Sequence, residues 1–151
     1  MADNWVERYM IEKKQGSIKQ QADLRMAEIA KDGSPRLFRA IVDRVRSDMD
    51  RYHKSGGDKS LRFDFIPSRR FVVSKSSYPA AGLEVELKEA TVECRYFFKL
   101  DDTASLDERF KHFRIAADLH GNVQAVRNGL PFTDESEISA ELLKPVLDYI
   151  H

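Results

Sequence analysis

The sequence contains one cysteine, Cys94, among 151 residues, so no intramolecular disulfide can hold the fold together. It also has no net charge, because 25 basic residues balance 25 acidic ones, and this disfavours a generally basic nucleic-acid binder. No stretch approaches the roughly 18 consecutive apolar residues of a membrane-spanning helix, and the polar N-terminus does not resemble a secretory signal. We therefore expect a cytoplasmic protein with neither nucleic acid nor membrane as a partner.

Local motifs for metal, phosphate or covalent chemistry are also absent from the sequence. The four histidines and the cysteine form no CxxC, HxH or HExxH spacing. There is no GxxxxGK[ST] or GxGxxG phosphate loop and no GxSxG nucleophile turn. We expect no metal and no cofactor, and we favour a non-enzyme, although chemistries without a local signature stay open.

Apolar residues make up 42% of the chain, including nine Phe, five Tyr and one Trp, which is enough for one hydrophobic core. The order of the patterns predicts a single α+β domain over residues 1–151. Its helical part covers about residues 3–54, and its sheet and closing helix cover about residues 60–151. The flexible turn at residues 55–58 separates the two parts.

Helical spacing predicts two or three N-terminal helices and one C-terminal helix. Residues 3–31 form the first, with a kink or break at Gly16. Ser34 and Pro35 are typical of a new helix start, and the second helix extends to about residue 54 with the apolar face Phe38, Ile41, Val42, Val45, Met49 and Tyr52. The last helix begins at Thr133 or Asp134, and Pro145 should kink it or end its first part. Its apolar face consists of Ile138, Leu142, Leu143, Val146, Leu147 and Ile150.

Alternating apolar and polar residues between the helices predict an antiparallel sheet of about five strands. From residue 83 to residue 100 the apolar positions switch from odd to even near residues 88–90. Because that stretch has no typical turn residue, we predict a β-bulge in one long bent strand, with Cys94 facing the core. We expect a short helical turn near Ser105, followed by a hairpin from about Phe110 to Arg127 in which Leu119 pairs with Val123.

The first helix carries apolar residues on two faces. One stripe consists of Ile11, Ile18, Ala22 and Ile29, and a second group near the terminus consists of Trp5, Val6, Tyr9 and Met10. A helix packed on its own domain needs only one stripe. Either the terminal turns fold back onto the core at Gly16, or the second group contacts another subunit. We therefore predict a non-enzymatic protein-interaction module that self-associates through its N-terminal helix as a homodimer, or that binds another protein.

One polar cluster supports an alternative function. His112, Arg114, Asp118 and His120 share one face if residues 110–119 form a strand, and Arg69 and Arg70 form a basic pair at a turn. Imidazole, guanidinium and carboxylate groups together can bind an anion or move protons. The alternative is a binding protein or enzyme for a small, anionic molecule, with its pocket between the sheet and the helices. A solvated surface and an ordinary basic turn explain the same residues without a ligand.

Overall fold

The computed structural model describes residues 4–67 and 69–151, which form an α+β fold of two helices and one antiparallel sheet. Seven strands lie in sequence order across the sheet. The elements are α1 (Trp5–Lys54), β1 (Arg62–Ile66), β2 (Arg70–Lys75), β3 (Ala80–Lys88), β4 (Thr91–Lys99), β5 (Asp107–Ala117), β6 (Val123–Arg127), β7 (Leu130–Pro131) and α2 (Glu135–Ile150). The α+β class is as predicted, with seven strands where about five were expected.

The predicted β-bulge near residues 88–90 is wrong, because β3 and β4 are joined there by a tight hairpin. Lys88 pairs with Thr91, and the two-residue loop between them is Glu89-Ala90. Glu89 takes a positive φ of 55°, a conformation that two-residue hairpin loops require and that Gly or Asn usually supplies. The change of parity is therefore a chain reversal, and the apolar residues of both strands still face the same side of the sheet.

Helix α1 is one continuous helix of 50 residues, so no break occurs at Gly16, and the predicted helix end and new helix start within residues 32–35 are wrong. Pro35 withdraws a single hydrogen-bond donor, and its expected acceptor is the carbonyl of the exposed residue Lys31. The buried Ser34 hydroxyl donates to the Ala30 carbonyl at 2.6 Å. Gly33 has a packing role instead of a terminating one, because a Cβ there would lie 2.6 Å from Val123 Cγ2.

The core lies between one face of the sheet and a layer formed by α2 and the second half of α1. The predicted apolar face of residues 34–54 is confirmed, since Phe38, Ile41, Val42, Val45 and Met49 are buried. On the sheet, the odd residues of β3 and the even residues of β4 meet this layer. The buried side chains there are Leu83, Val85, Leu87, Val92, Cys94, Tyr96 and Phe98, so Cys94 faces the core as predicted.

Helix α2 begins where the sequence predicts, because the Asp134 side chain accepts a hydrogen bond from the Glu137 backbone N–H. Pro145 lies inside the helix and cannot donate to the Glu141 carbonyl. That carbonyl accepts instead from Lys111 Nζ at 3.3 Å. A strand lysine thus replaces the missing helical donor, and the helix extends past the proline to Ile150.

The hairpin predicted between residues 110 and 127 exists as β5 and β6, but its register differs from the expected one. Ala117 pairs with Val123, so Leu119 lies in the loop and is 92% exposed. No helical turn forms at Ser105, and β5 begins at Asp107. The strand is longer than expected because Asp107 to Arg114 pair along almost the whole of β4.

Candidate interaction surface

The first half of α1 projects away from the core. Every described residue from Asn4 to Arg25 is exposed, Met26 is the first that is partly buried, and Ala30 is the first that is buried. At about 1.5 Å per residue, this part of the helix is about 33 Å long. We call residues 5–29 the projecting half of α1.

The projecting half carries seven large apolar side chains that are between 49% and 66% exposed. They are Trp5, Val6, Tyr9, Met10, Ile11, Ile18 and Leu24. The predicted interface group lies here, and its residues do not fold back onto the core at Gly16. Helices in proteins gain most of their stability by packing an apolar face, and an exposed cluster of large apolar residues is typical of an interaction site.

The apolar residues of the projecting half point in two directions. Ile11, Ile18, Ala22 and Ile29, which we call the isoleucine stripe, lie within about 40° of one another around the helix axis at 100° per residue. This stripe is roughly opposite the buried residues Phe38, Val45 and Met49 of the second half of α1. Trp5 lies about 120° around the axis from the stripe, because it precedes the buried Ile41 by 36 residues, which is ten helical turns.

A groove lies at the base of the projecting half, where α1 crosses β6 and the loop that precedes it. Its volume is about 410 Å³, and its walls include Gly33, Leu37, Ala40, Asn122 and Val123. The close approach of Gly33 to Val123 forms one side of it. Sequence reasoning missed this groove. The available signal was a glycine inside an otherwise continuous helical pattern, which often marks a close contact.

The predicted polar cluster is only partly brought together. His112 and Arg114 are exposed on β5, on the sheet face that the helices leave uncovered, which we call the open face. The four residues were expected to share one face if residues 110–119 formed a strand, and this condition is not met, because β5 ends at Ala117, before Asp118 and His120. The Asp118 carboxylate instead accepts from the His120 and Asn122 backbone N–H groups, both at 2.9 Å. These hydrogen bonds, with that from Asn122 foremost, lower the pKa of Asp118.

The open face carries a chain of ion pairs across four strands. Arg70 pairs with Glu84, Arg95 Nη1 lies 3.9 Å from Glu84 Oε2, and Arg95 Nη2 lies 2.5 Å from Glu108 Oε1. The Arg70 guanidinium is therefore already paired with the Glu84 carboxylate. Arg69 is exposed in the turn before β2, and its carbonyl accepts from the Leu87 backbone N–H at 2.7 Å. The Arg70 guanidinium thus has a carboxylate partner, whereas the contact of Arg69 is made by its backbone, and an anion site shared by the two arginines stays a prediction.

Cys94 lies in an environment that opposes thiolate chemistry. It is 2% exposed, and burial raises the pKa of its thiol to about 12. Within residues 4–67 and 69–151, no group of three or more His, Cys, Asp and Glu residues is arranged to hold a metal ion. Over the same residues, neither helix has the length and apolarity that are needed to cross a membrane.

Comparison with known proteins gives no relative, since no protein-family model, curated protein or solved structure matches this chain.

Proposed function

We propose that this chain is a protein-interaction module that self-associates through the projecting half of α1. One observation carries the proposal: a helical segment about 33 Å long is exposed on all sides and carries seven large apolar residues. Burying such side chains contributes roughly 1.5–3 kcal/mol each when burial is complete. A second copy of the same helix offers apolar side chains of matching kind and spacing.

The charges of the projecting half favour association between like chains. Residues 5–29 contain five basic and four acidic residues, so two copies carry little net charge and repel each other weakly. The acidic and basic residues are interspersed along the segment, so pairs of opposite sign can form across a helical interface. These features support self-association over binding to a strongly charged partner.

Sedimentation velocity of the full chain, from about 1 µM to about 200 µM, tests the proposal. We expect the mean mass to rise from that of a monomer toward that of an oligomer with increasing concentration. The double variant Ile11→Lys, Ile18→Lys should stay monomeric, because both changes place a charge in the apolar stripe. The control Leu119→Lys changes a side chain that is 92% exposed in the β5–β6 loop and should associate like the original chain. A monomer throughout this range would refute the proposal.

A second candidate function concerns the open face. Phe110 is 71% exposed and lines a surface groove of about 570 Å³ together with Glu93, His112 and Arg114. An exposed aromatic ring and a guanidinium in one groove fit an elongated aromatic anion, through stacking at one end and a charge-assisted hydrogen bond at the other. A panel of aromatic carboxylates should then raise the melting temperature of the original chain and leave that of Arg114→Ala unchanged. An equal shift in both proteins, or none in either, would refute this second candidate.

A further inference from the structure

The isoleucine stripe has a spacing that is the same in both chain directions. The intervals between Ile11, Ile18, Ala22 and Ile29 are seven, four and seven residues. Two positions of the stripe are therefore equivalent when their residue numbers add up to 40. An antiparallel copy in this register places Ile11 on Ile29 and Ile18 on Ala22. In heptad terms, Ile11 and Ile18 occupy d positions and Ala22 and Ile29 occupy a positions, which form mixed layers in an antiparallel pair.

The charged residues beside the stripe favour the antiparallel direction. In the antiparallel register, Lys14 lies across from Glu28 twice, and a single like-charged contact occurs between the two copies of Lys19. A parallel pair would instead place Lys14 near Lys19 twice and Glu7 near Glu12 twice. All of these residues are exposed. The antiparallel pair thus has two favourable contacts and one repulsive contact, and the parallel pair has four repulsive contacts. This difference favours the antiparallel direction, since charges at these flanking positions set partner orientation.

The same register brings Trp5 to the groove at the base of the projecting half. Trp5 occupies an e position and comes level with the part of the other copy between Gly33 and Ala40, which line the groove; because Val123 covers Gly33 itself, the indole enters beside it. Gly33 and Ala40 occupy successive e positions and form part of the same wall. The groove volume of about 410 Å³ is ample for an indole side chain, and Trp5 is 66% exposed in the single chain.

We infer that two copies pair through antiparallel α1 helices, centred at residue 20, with Trp5 of each copy seated in the groove of the other. This inference depends on the proposed self-association and adds its geometry and partner. Taking about 100 Å² for each large apolar side chain, the three isoleucines of the stripe and Trp5 bury about 800 Å² over the two copies, and Ala22 and flanking side chains add to this. That area is below the roughly 1,200 Å² at which stable specific interfaces begin, and it fits a weak, concentration-dependent association.

Two single cysteine variants distinguish the antiparallel from the parallel direction. In the antiparallel register the two copies of Gln21 face each other, whereas the two copies of Gln15 lie ten residues, or about 15 Å, apart along the axis. In a parallel pair the Gln15 copies meet in the core, and the Gln21 copies lie on opposite flanks. With a short bifunctional maleimide, Gln21→Cys should give a covalent dimer and Gln15→Cys should not. The reverse pattern would overturn the inference while leaving the proposed self-association intact.

Trp5 is the only tryptophan in the chain, so its fluorescence reports on the groove. Emission should shift to shorter wavelength as concentration rises across the association range, and Ile18→Lys should keep the long-wavelength emission of an exposed indole. Trp5→Ala should weaken association at least tenfold. The matched control Met10→Ala, 60% exposed at an outward c position, should weaken it less than threefold. Association without a spectral shift, or an equal loss in both variants, would overturn the placement of Trp5.

Discussion

Replacing Gly33 with alanine should destabilise the protein, even though alanine favours helix more than glycine does. In an exposed helix interior this change would gain about 1 kcal/mol. At Gly33, however, the new Cβ would lie 2.6 Å from Val123 Cγ2, so either the helix or strand β6 must move. Forcing an extra methyl group into a packed contact costs about 1–3 kcal/mol. The balance is a net loss of up to about 2 kcal/mol in the free energy of unfolding.

A double-mutant cycle with Val123→Ala isolates the contact. Shortening Val123 removes the Cγ2 atom that the new methyl group would meet, so Gly33→Ala in that background should recover up to about 1 kcal/mol of helix preference. We therefore expect a coupling energy of about 1–3 kcal/mol between the two sites. Urea unfolding, followed by circular dichroism, measures all four proteins at equal protein concentration.

Gly16 provides the comparison site on the same helix. It has no atom within 4 Å of the position of an added Cβ, so Gly16→Ala should raise helicity without a steric cost. If Gly33→Ala raised stability in the same way as Gly16→Ala raises helicity, the close approach between α1 and β6 would be refuted. The groove proposed for Trp5 would then lose one of its walls.

Three further predictions concern the packed part of the chain. Pro145→Ala restores a backbone donor to the carbonyl that Lys111 contacts. Lys111→Met should therefore lower the free energy of unfolding by about 1 kcal/mol in the original chain and by clearly less in Pro145→Ala. Equal losses in both backgrounds, measured by chemical denaturation, would contradict this. Cys94, with its pKa raised to about 12 by burial, should react with a thiol reagent at pH 8 only at the rate of unfolding, and rapid labelling of the folded protein would disprove its burial. The Lys75 ammonium, followed by Ser60, lowers the pKa of Asp58, so the stabilisation is present above the unfolded pKa near 4 and is lost as pH falls below it. Stability of Asp58→Asn should therefore depend less on pH below about pH 4, and an unchanged acid dependence would count against the ion pair.

The sheet could be predicted from the sequence because its signal is local and repeated. Alternation over Leu83–Leu87 and over Val92–Phe98 fixes which side chains face the core, and the structure buries them as expected. The connection between them could not be predicted, because a two-residue hairpin is normally marked by Gly or Asn. Here Glu89 takes the positive φ, and the pairing of nine residues on each side of the loop outweighs the cost of that conformation. A bulge and a hairpin give the same parity change, so the pattern alone did not separate them.

The predicted boundaries of the N-terminal helices were wrong for a related reason, and the error concerns the projecting half of α1. Ser34 and Pro35 can cap a new helix, but both residues also fit inside a helix when the lost hydrogen bond lies on its exposed side. Contacts between residues far apart in the sequence bear on whether the helix ends here, since Val123 requires a residue without a side chain at position 33. Once α1 is continuous, its first turns cannot return to the core, and Trp5 must extend along the helix axis away from it. The two apolar faces could be read from the sequence, but their separation from the core depends on the continuity of α1, which the local pattern did not indicate.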